Sequence, residues 1–492
     1  MLLEADWVLP VSGPPIAEAA VLTVDGTIGA VGPAAELRGR FPEETVCELP
    51  GCALLPGLVN AHTHLEYSAF RGFARSSGFG EWMLRLLLAR RKLDVDDYAA
   101  SALWGAHECV RSGVTSIADT SYEGWAVARG AGAAGLRARV YLEVFGLDDA
   151  RLPATMERLE AGLARLRDQC SAGGENGSCE ERGSRGDPGS AARNGPEVEA
   201  GVSPHAPYTV SARLYREAAR FARRAGLRLA THVAESQAEV ELLARGTGMI
   251  SHAYRAAHLW NGRHWTTPGL SPMKYVAQTG ALGPETLVVH AVQVDGDDIA
   301  TLAESGAAVA HCPRSNRRLH CGAAPVAELI AAGVPVGLGT DSLASNDSLD
   351  MFAEMRAAIE TSKERAAPGA RRGVSAVDAG PGGTPQNAEP RPAALTAVAV
   401  LRMATLDGAR ALGWDHLIGS LEVGKRADII AVRLPEGERA PADMPAALVE
   451  GATADDVRMT MVDGAVVFEG GEILAEVKHA FAAARAKLNI ES

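Results

Sequence analysis

Apolar residues fall into two patterns along the chain. Near both ends they form short alternating runs broken by turn residues. Val21-Leu22-Thr23-Val24 meets Asp25-Gly26 and is followed by Ile28-Gly29-Ala30-Val31-Gly32, a hairpin signal. Asp428-Ile429-Ile430-Ala431-Val432 reads as a strand. Val457-Arg458-Met459-Thr460-Met461-Val462, Asp463-Gly464 and Ala465-Val466-Val467-Phe468 read as a second hairpin. Neither end has enough strands to bury two faces alone. Residues 1–54 and 416–492 are therefore expected to form one small β-sandwich, with a helix at the C-terminal end.

Between them the period changes. Strand candidates at 54–62, 113–119, 138–145, 198–204, 228–234, 286–292, 307–312 and 334–340 alternate with helical patterns. One helix is clear: Ser211 is its N-cap, Leu214, Ala218, Phe221, Ala222 and Ala225 form its stripe, and Gly226 ends it. Eight strands alternating with helices predict a (β/α)8 TIM barrel over residues 55–415, inserted into the sandwich. Segments 171–196 and 364–392 are rich in Gly, Ser, Pro and charge and read as flexible surface insertions.

Barrels of this kind carry their active sites at the C-terminal strand ends, and polar residues sit at those ends here. His62 and His64 lie two apart after the run opened by Pro56-Gly57, so a strand turns both to one face. His232, His290 and Asp341 close later runs. Imidazoles and a carboxylate converging from several strands suit a divalent metal that activates water. Glu235, three residues past His232, reads either as a proton carrier beside that water or as an exposed residue starting the next helix. His290 reads as a hydrogen-bonding group at the reacting centre or as a structural histidine. Asp341 reads as a ligand, its competing role as a helix cap being open to Ser345, Asn346 and Asp347. His205, between Pro204 and Ala206-Pro207, is a held ring suited to orienting a substrate. His311 and Asn316 read as pocket wall.

Composition narrows the class. A chain of 492 residues exceeds one small core, and 47% hydrophobic with 5% aromatic content predicts a core of aliphatics and alanine. The balance of 61 acidic against 48 basic residues, a net charge of −13, repels polyanions, so nucleic acid and acidic membranes are not expected partners; a small-molecule substrate is. Seven cysteines without a C-x-x-C pair argue against a zinc knuckle or redox motif and for a reducing cytoplasm. The first residues lack the basic and apolar regions of a signal peptide, and no run reaches membrane-spanning length. A homo-oligomer is compatible with the sequence. Walker loops, G-x-S-x-G, H-E-x-x-H and the H-x-E…P-C-x-x-C pattern of small zinc deaminases are absent.

Five motifs in order carry a family resemblance. They are residues 56–64, Ser203-Pro204-His205-Ala206-Pro207-Tyr208, Thr231-His232-Val233-Ala234-Glu235-Ser236, His311-Cys312-Pro313-Arg314-Ser315-Asn316 and Gly337-Leu338-Gly339-Thr340-Asp341-Ser342. Together they resemble the amidohydrolase superfamily, and within it the deaminase and chlorohydrolase branch. The resemblance implies one divalent metal, zinc in the first place with iron as the alternative, held by His62, His64, His232 and Asp341. It implies Glu235 as proton shuttle and His290 as the polarising histidine. Two-metal members carry a modified lysine at the end of strand four, where this chain has Ser203-Pro204-His205.

The nearest resemblance is to methylthioadenosine/S-adenosylhomocysteine deaminases, whose substrate-binding histidine matches His205, and to aminofutalosine deaminases. The first group has a ribose-binding glutamate nine residues past a tryptophan; counting from Trp82 reaches Arg91. The stretch His64-Leu65-Glu66-Tyr67-Ser68 is closer to the second group, which makes Glu66 and Arg91 candidate substrate contacts. The expected activity is hydrolytic deamination of an aminated heterocycle, an adenosine-like nucleoside first. Dechlorination or amide cleavage at the same metal, and a metal-free scaffold, are the competing readings.

Overall fold

The computed structural model describes residues 1–74, 78–172, 196–256, 266–367, 393–435, 437 and 440–490. The two chain ends build one sheet. β1 (Leu2–Val8), β2 (Ile16–Val24), β3 (Thr27–Pro33) and β4 (Val46–Pro56) come from the N-terminal side. The barrel strands follow: β5 (Leu58–Thr63), β6 (Val114–Ser121), β7 (Arg137–Val144), β8 (Val198–Pro204), β9 (Arg228–Val233), β10 (Thr286–His290), β11 (Ala308–His311) and β12 (Val336–Leu338). β13 (Ile429–Arg433), β14 (Val457–Val462) and β15 (Ala465–Phe468) return to the first sheet, whose order is β15-β14-β13-β4-β1-β2-β3.

The expected sandwich takes the form of this single seven-stranded sheet curled on itself. Leu3, Val21, Ile28 and Leu54 share one apolar cluster with Ile429, Met459 and Met461, so each end covers the other. Both predicted hairpins are present. Asp25 and Gly26 have φ of +48° and +76°, and Asp463 and Gly464 of +48° and +77°, the left-handed pair that a two-residue hairpin turn requires.

The barrel strands run parallel in chain order from β5 to β12. The ring closes where Thr63 bridges Asp341 and the Asp341 amide donates to the His62 carbonyl at 3.0 Å. Gly339 makes that approach possible, since a Cβ there would lie 2.8 Å from the His62 nitrogen. Inside the ring, Ala61, Ala118, Ala230, Val289, Ala308 and Ala310 pack together as the small-residue core that the composition implied. The clear helix spans Ala212–Arg224, with Ser211 Oγ accepting from the Leu214 amide.

Four expectations need correction. The strand expected at 54–62 is two strands: Leu54 pairs with Ala431 and Val8 in the end sheet, and the barrel begins after Gly57. Residues 364–366 are not loop but the last turn of helix Met351–Ala366, and 171–172 end helix Leu152–Ala172; 173–195 and 368–392 lie outside the described residues. That helix after Asp341 is capped by Asp350, not by Ser345 or Asn346. Finally, the C-terminal helix Ala475–Leu488 leaves the end sheet and packs on barrel helix Val95–Arg111, with Phe481 stacked on Trp104 at 4.3 Å.

Candidate active site

The histidines expected as metal ligands or at the reacting centre arrive at one place. His62 and His64 end β5, His232 lies on β9, His290 ends β10, and Asp341 follows β12. Ring centroids of His62 lie 4.8 Å from His64, 5.0 Å from His232 and 5.8 Å from His290. Asp341 Oδ1 is 3.6 Å from Nε2 of both His62 and His64. All five groups are buried.

The backbone is bent to aim them. Ala234, His290, Ala291 and Asp341 have φ of +56°, +76°, +46° and +56°. Such conformations cost about 1–3 kcal/mol each and persist only where the surroundings enforce them. Here the enforcement is visible: Ala234 and Glu235 donate their amides to the buried Glu239 carboxylate at 3.0 and 2.9 Å, and the Ala234 carbonyl accepts from Val292 and Gln293.

Hydrogen bonds also set the rings. The His205 carbonyl accepts from His232 Nδ1 at 3.0 Å, which leaves the His232 Nε2 lone pair facing inward. His290 Nδ1 is 2.9 Å from Asn316 Oδ1, so Asn316 orients that ring rather than the cavity contents, and His290 Nε2 faces Glu235 Oε1 at 3.6 Å. Asp341 Oδ2 accepts from the Ser315 and Ser345 hydroxyls at 2.6 and 2.9 Å, which turns Oδ1 toward the imidazoles.

Both nitrogens of His62 are buried without a hydrogen-bond partner. An unsatisfied buried donor set of imidazoles beside a carboxylate fits a divalent cation. Donor atoms of His62, His64 and His232 lie within 4.8 Å of one another, as do those of Glu235, His290 and Asp341. A third group, Glu143, His205 and His232, overlaps the first through His232. If both groups call on the same nitrogen, its one lone pair makes them alternatives rather than two ions.

Burial dominates the protonation of the site. It holds His64 down to about 3 and His290 to about 4, with neighbouring imidazoles adding to the effect on His64. It pushes Glu235 well above the usual carboxylate range, helped by the charge of Asp341. Burial works the same way on Asp341, but the His62 ring beside it and the surrounding imidazoles outweigh it and hold that carboxyl well below its ordinary value.

These groups floor a cavity of about 500 Å³ lined by His205, Tyr67, Phe79, Trp82, Leu86, Tyr122, Phe145, Tyr208 and Tyr254. Arg91 is at its rim and exposed; Arg90 lines it more deeply, lying 5.2 Å from the Tyr122 ring centre. Glu66 does not line the cavity. It is buried, and its two oxygens accept the Tyr122 and Glu123 amides at 3.0 and 2.9 Å, so it braces the loop after β6. His311 is likewise buried away from the cavity lining. The sequence reading overlooked Glu143 at the end of β7, Thr209 bonded to His205 Nδ1 at 2.7 Å, and the two serines on Asp341. Only Glu143 had a visible signal, a lone charge closing an apolar run.

A closed parallel ring with convergent imidazoles and acids at its C-terminal mouth defines a metal-dependent hydrolase barrel. The family model described as amidohydrolase family matches residues 53–467, and the chain belongs to that family. Residues 19–43 match an imidazolonepropionase-like composite domain of bacteria. The chain is 32% identical over 475 residues to a 5-methylthioadenosine/S-adenosylhomocysteine deaminase of Moorella thermoacetica, covering 96% of this chain and 95% of that one. Among solved structures, an adenosine deaminase from Xanthomonas campestris with bound zinc superposes with a TM-score of 0.74 at 25% identity, over 99% of this chain and 97% of that one. The Helicobacter pylori aminofutalosine deaminase shares the fold, with a TM-score of 0.73 at 21% identity over 95% of this chain and all (100%) of that one. Membership makes this chain a hydrolase of non-peptide carbon–nitrogen bonds. Among the described residues, no helix is long and apolar enough to cross a membrane.

Proposed function

We propose that this protein is a hydrolytic deaminase of an adenosine-like nucleoside, working with one divalent cation, zinc in the first place. His62, His64, His232 and Asp341 would hold the cation. Bound there, such a cation would lower the pKa of water enough for attack near neutral pH. His290 and Asp341 orient the attacking oxygen toward the ring carbon that bears the amino group. Glu235 carries the proton: it protonates the adjacent ring nitrogen, then takes the proton from the hydroxyl that has added to the ring carbon and passes it to the amino group, which leaves as ammonia as the carbonyl forms. A carboxyl pushed upward by burial suits that task, because it holds a proton at the pH where it must donate one.

The observation that supports this reading most is Glu235 facing His290 across 3.6 Å, beside the imidazole cluster and beneath an aromatic cavity. The aromatic walls suit a flat heterocycle, and the relatives' names point to adenosine derivatives. The five described cysteines are free, which supports a cytoplasmic setting.

The test is zinc content of the purified chain together with ammonia release from adenosine derivatives, aminofutalosine, guanine, cytosine and triazines. We expect about one zinc per chain and ammonia from nucleosides, abolished by chelation and restored by zinc. A chain that carries no metal after gentle purification, or that releases chloride but never ammonia, would refute the proposal.

A further inference from the structure

Among the described acids that line the cavity, Glu143 is the one to which the proposed reaction gives no role. It stands next to last on β7, its side chain is 3% exposed, and it lines the cavity. Its Oε1 has no hydrogen-bond partner. The facing group is His205 Nε2, 4.0 Å away, too far for a direct hydrogen bond. That nitrogen is itself an acceptor. Thr209 spends its hydroxyl proton on the Ala206 carbonyl at 3.1 Å, so at 2.7 Å it must accept from His205 Nδ1–H. Burial raises the Glu143 carboxyl to about 8, yet its Oε1 and the facing ring nitrogen share no hydrogen bond, and a buried oxygen with acceptor capacity and no donor is costly. What completes them is a donor brought by the ligand.

Position says which donor. Glu143 groups with His205 and His232, whereas Glu235 groups with His290 and Asp341, so the two acids belong to different parts of the cavity floor. In an adenine nucleoside the amino-bearing carbon and the glycosidic nitrogen are at opposite ends of the base. A base presented to Glu235 thus sends its sugar away from His290. A cation between Glu143 and His205 is the poorer occupant if His232 gives its inward-facing lone pair to the His62–His64 group.

We infer that Glu143 is a specificity-determining residue that accepts hydrogen bonds from the vicinal hydroxyls of the substrate's ribose, with His205 as the second acceptor. This rests on the nucleoside deaminase reading and adds the sugar to it.

The test compares kcat/KM of the zinc-loaded enzyme for adenosine and 2′,3′-dideoxyadenosine, in wild type, Glu143→Gln and Glu143→Ala. Wild type should favour the ribonucleoside by about 100-fold, as expected when a site built to bond hydroxyls meets a substrate lacking them. Glu143→Ala should shrink that ratio to about 5-fold or less, mainly through a higher KM for adenosine, with zinc content unchanged. Glu143→Gln keeps the volume and one acceptor, so it should fold normally and fall between the two. A ratio that stays the same in Glu143→Ala, a wild type indifferent to the diol, or a variant that loses its zinc would each overturn the assignment while leaving deamination standing. A wild-type holoenzyme that releases ammonia from bases but from no nucleoside would overturn both.

Discussion

β7 begins at Arg137 and ends beside Glu143, and its two ends treat buried charge in opposite ways. Arg137 reaches into the end sheet, where its guanidinium donates to Asp428 at 3.3 Å and to Asp463 at 2.6 Å, while the Asp463 amide donates to Asp428 at 2.9 Å. Each of these three charged side chains has its partner. At the other end Glu143 Oε1 and both His62 nitrogens have none, and four nearby backbones are held at positive φ. The paired end welds barrel to sheet; the unpaired end stores unsatisfied polar capacity for a cation and a substrate. In this fold the bottom of the barrel is built for stability and the top for chemistry. A buried polar group without a partner is thus the informative one.

The contrast can be pressed from both ends. Glu235→Gln should lower kcat by about 1,000-fold, the usual contribution of a positioned proton carrier, while zinc stays bound and the melting temperature holds or rises. Steady-state kinetics, metal analysis and calorimetry on one preparation decide it; near-normal turnover would remove Glu235 from the mechanism.

Arg137→Met should behave in the reverse way. It strands Asp428 in the interior, and loss of one partner of such a pair costs about 3–5 kcal/mol. Urea denaturation should show that loss, whereas kcat/KM per zinc-loaded folded molecule should stay within a factor of about 2.

Acid should attack the catalytic end first. Burial depresses His64 and His205 to about 3 and His290 to about 4 in the fold, against an ordinary value of 6.5. At pH 5 these rings charge readily in the unfolded chain but resist it in the native one. Their contribution is complete above pH 6.5 and is lost as pH falls toward 3. The denaturation midpoint of the metal-free protein should therefore drop between pH 7 and pH 5. His205→Gln should soften the drop; an unchanged slope would show that the ring is not held neutral.

Ser345→Ala is the gentlest probe. It removes one of two hydroxyls that turn Asp341, worth about 1 kcal/mol, and should lower zinc affinity by less than about tenfold.

Much of this was readable beforehand because strand periodicity is local. Apolar runs, their order and the polar residue closing each were enough to predict eight barrel strands and the residues His62, His64, His232, His290 and Asp341. The failures were not local. The run through Gly57 looked continuous because both of its halves are buried, yet one half pairs with β13 and the other with β6. Glu66 carried the look of a substrate contact, but its oxygens go to amides 56 and 57 residues away. Asn316 faces His290 only because a helix follows β11.

By itself, the sequence determined the repeating strand–helix order, the hairpins at either end and which side chains could act as ligands, since side-chain period and turn chemistry act over a few residues. Tertiary structure alone decided which of the buried acids and imidazoles would be satisfied. Whether Asp428 meets an arginine 291 residues away, or Glu143 Oε1 is left without a hydrogen-bond partner, depends on which strands are brought within hydrogen-bond reach.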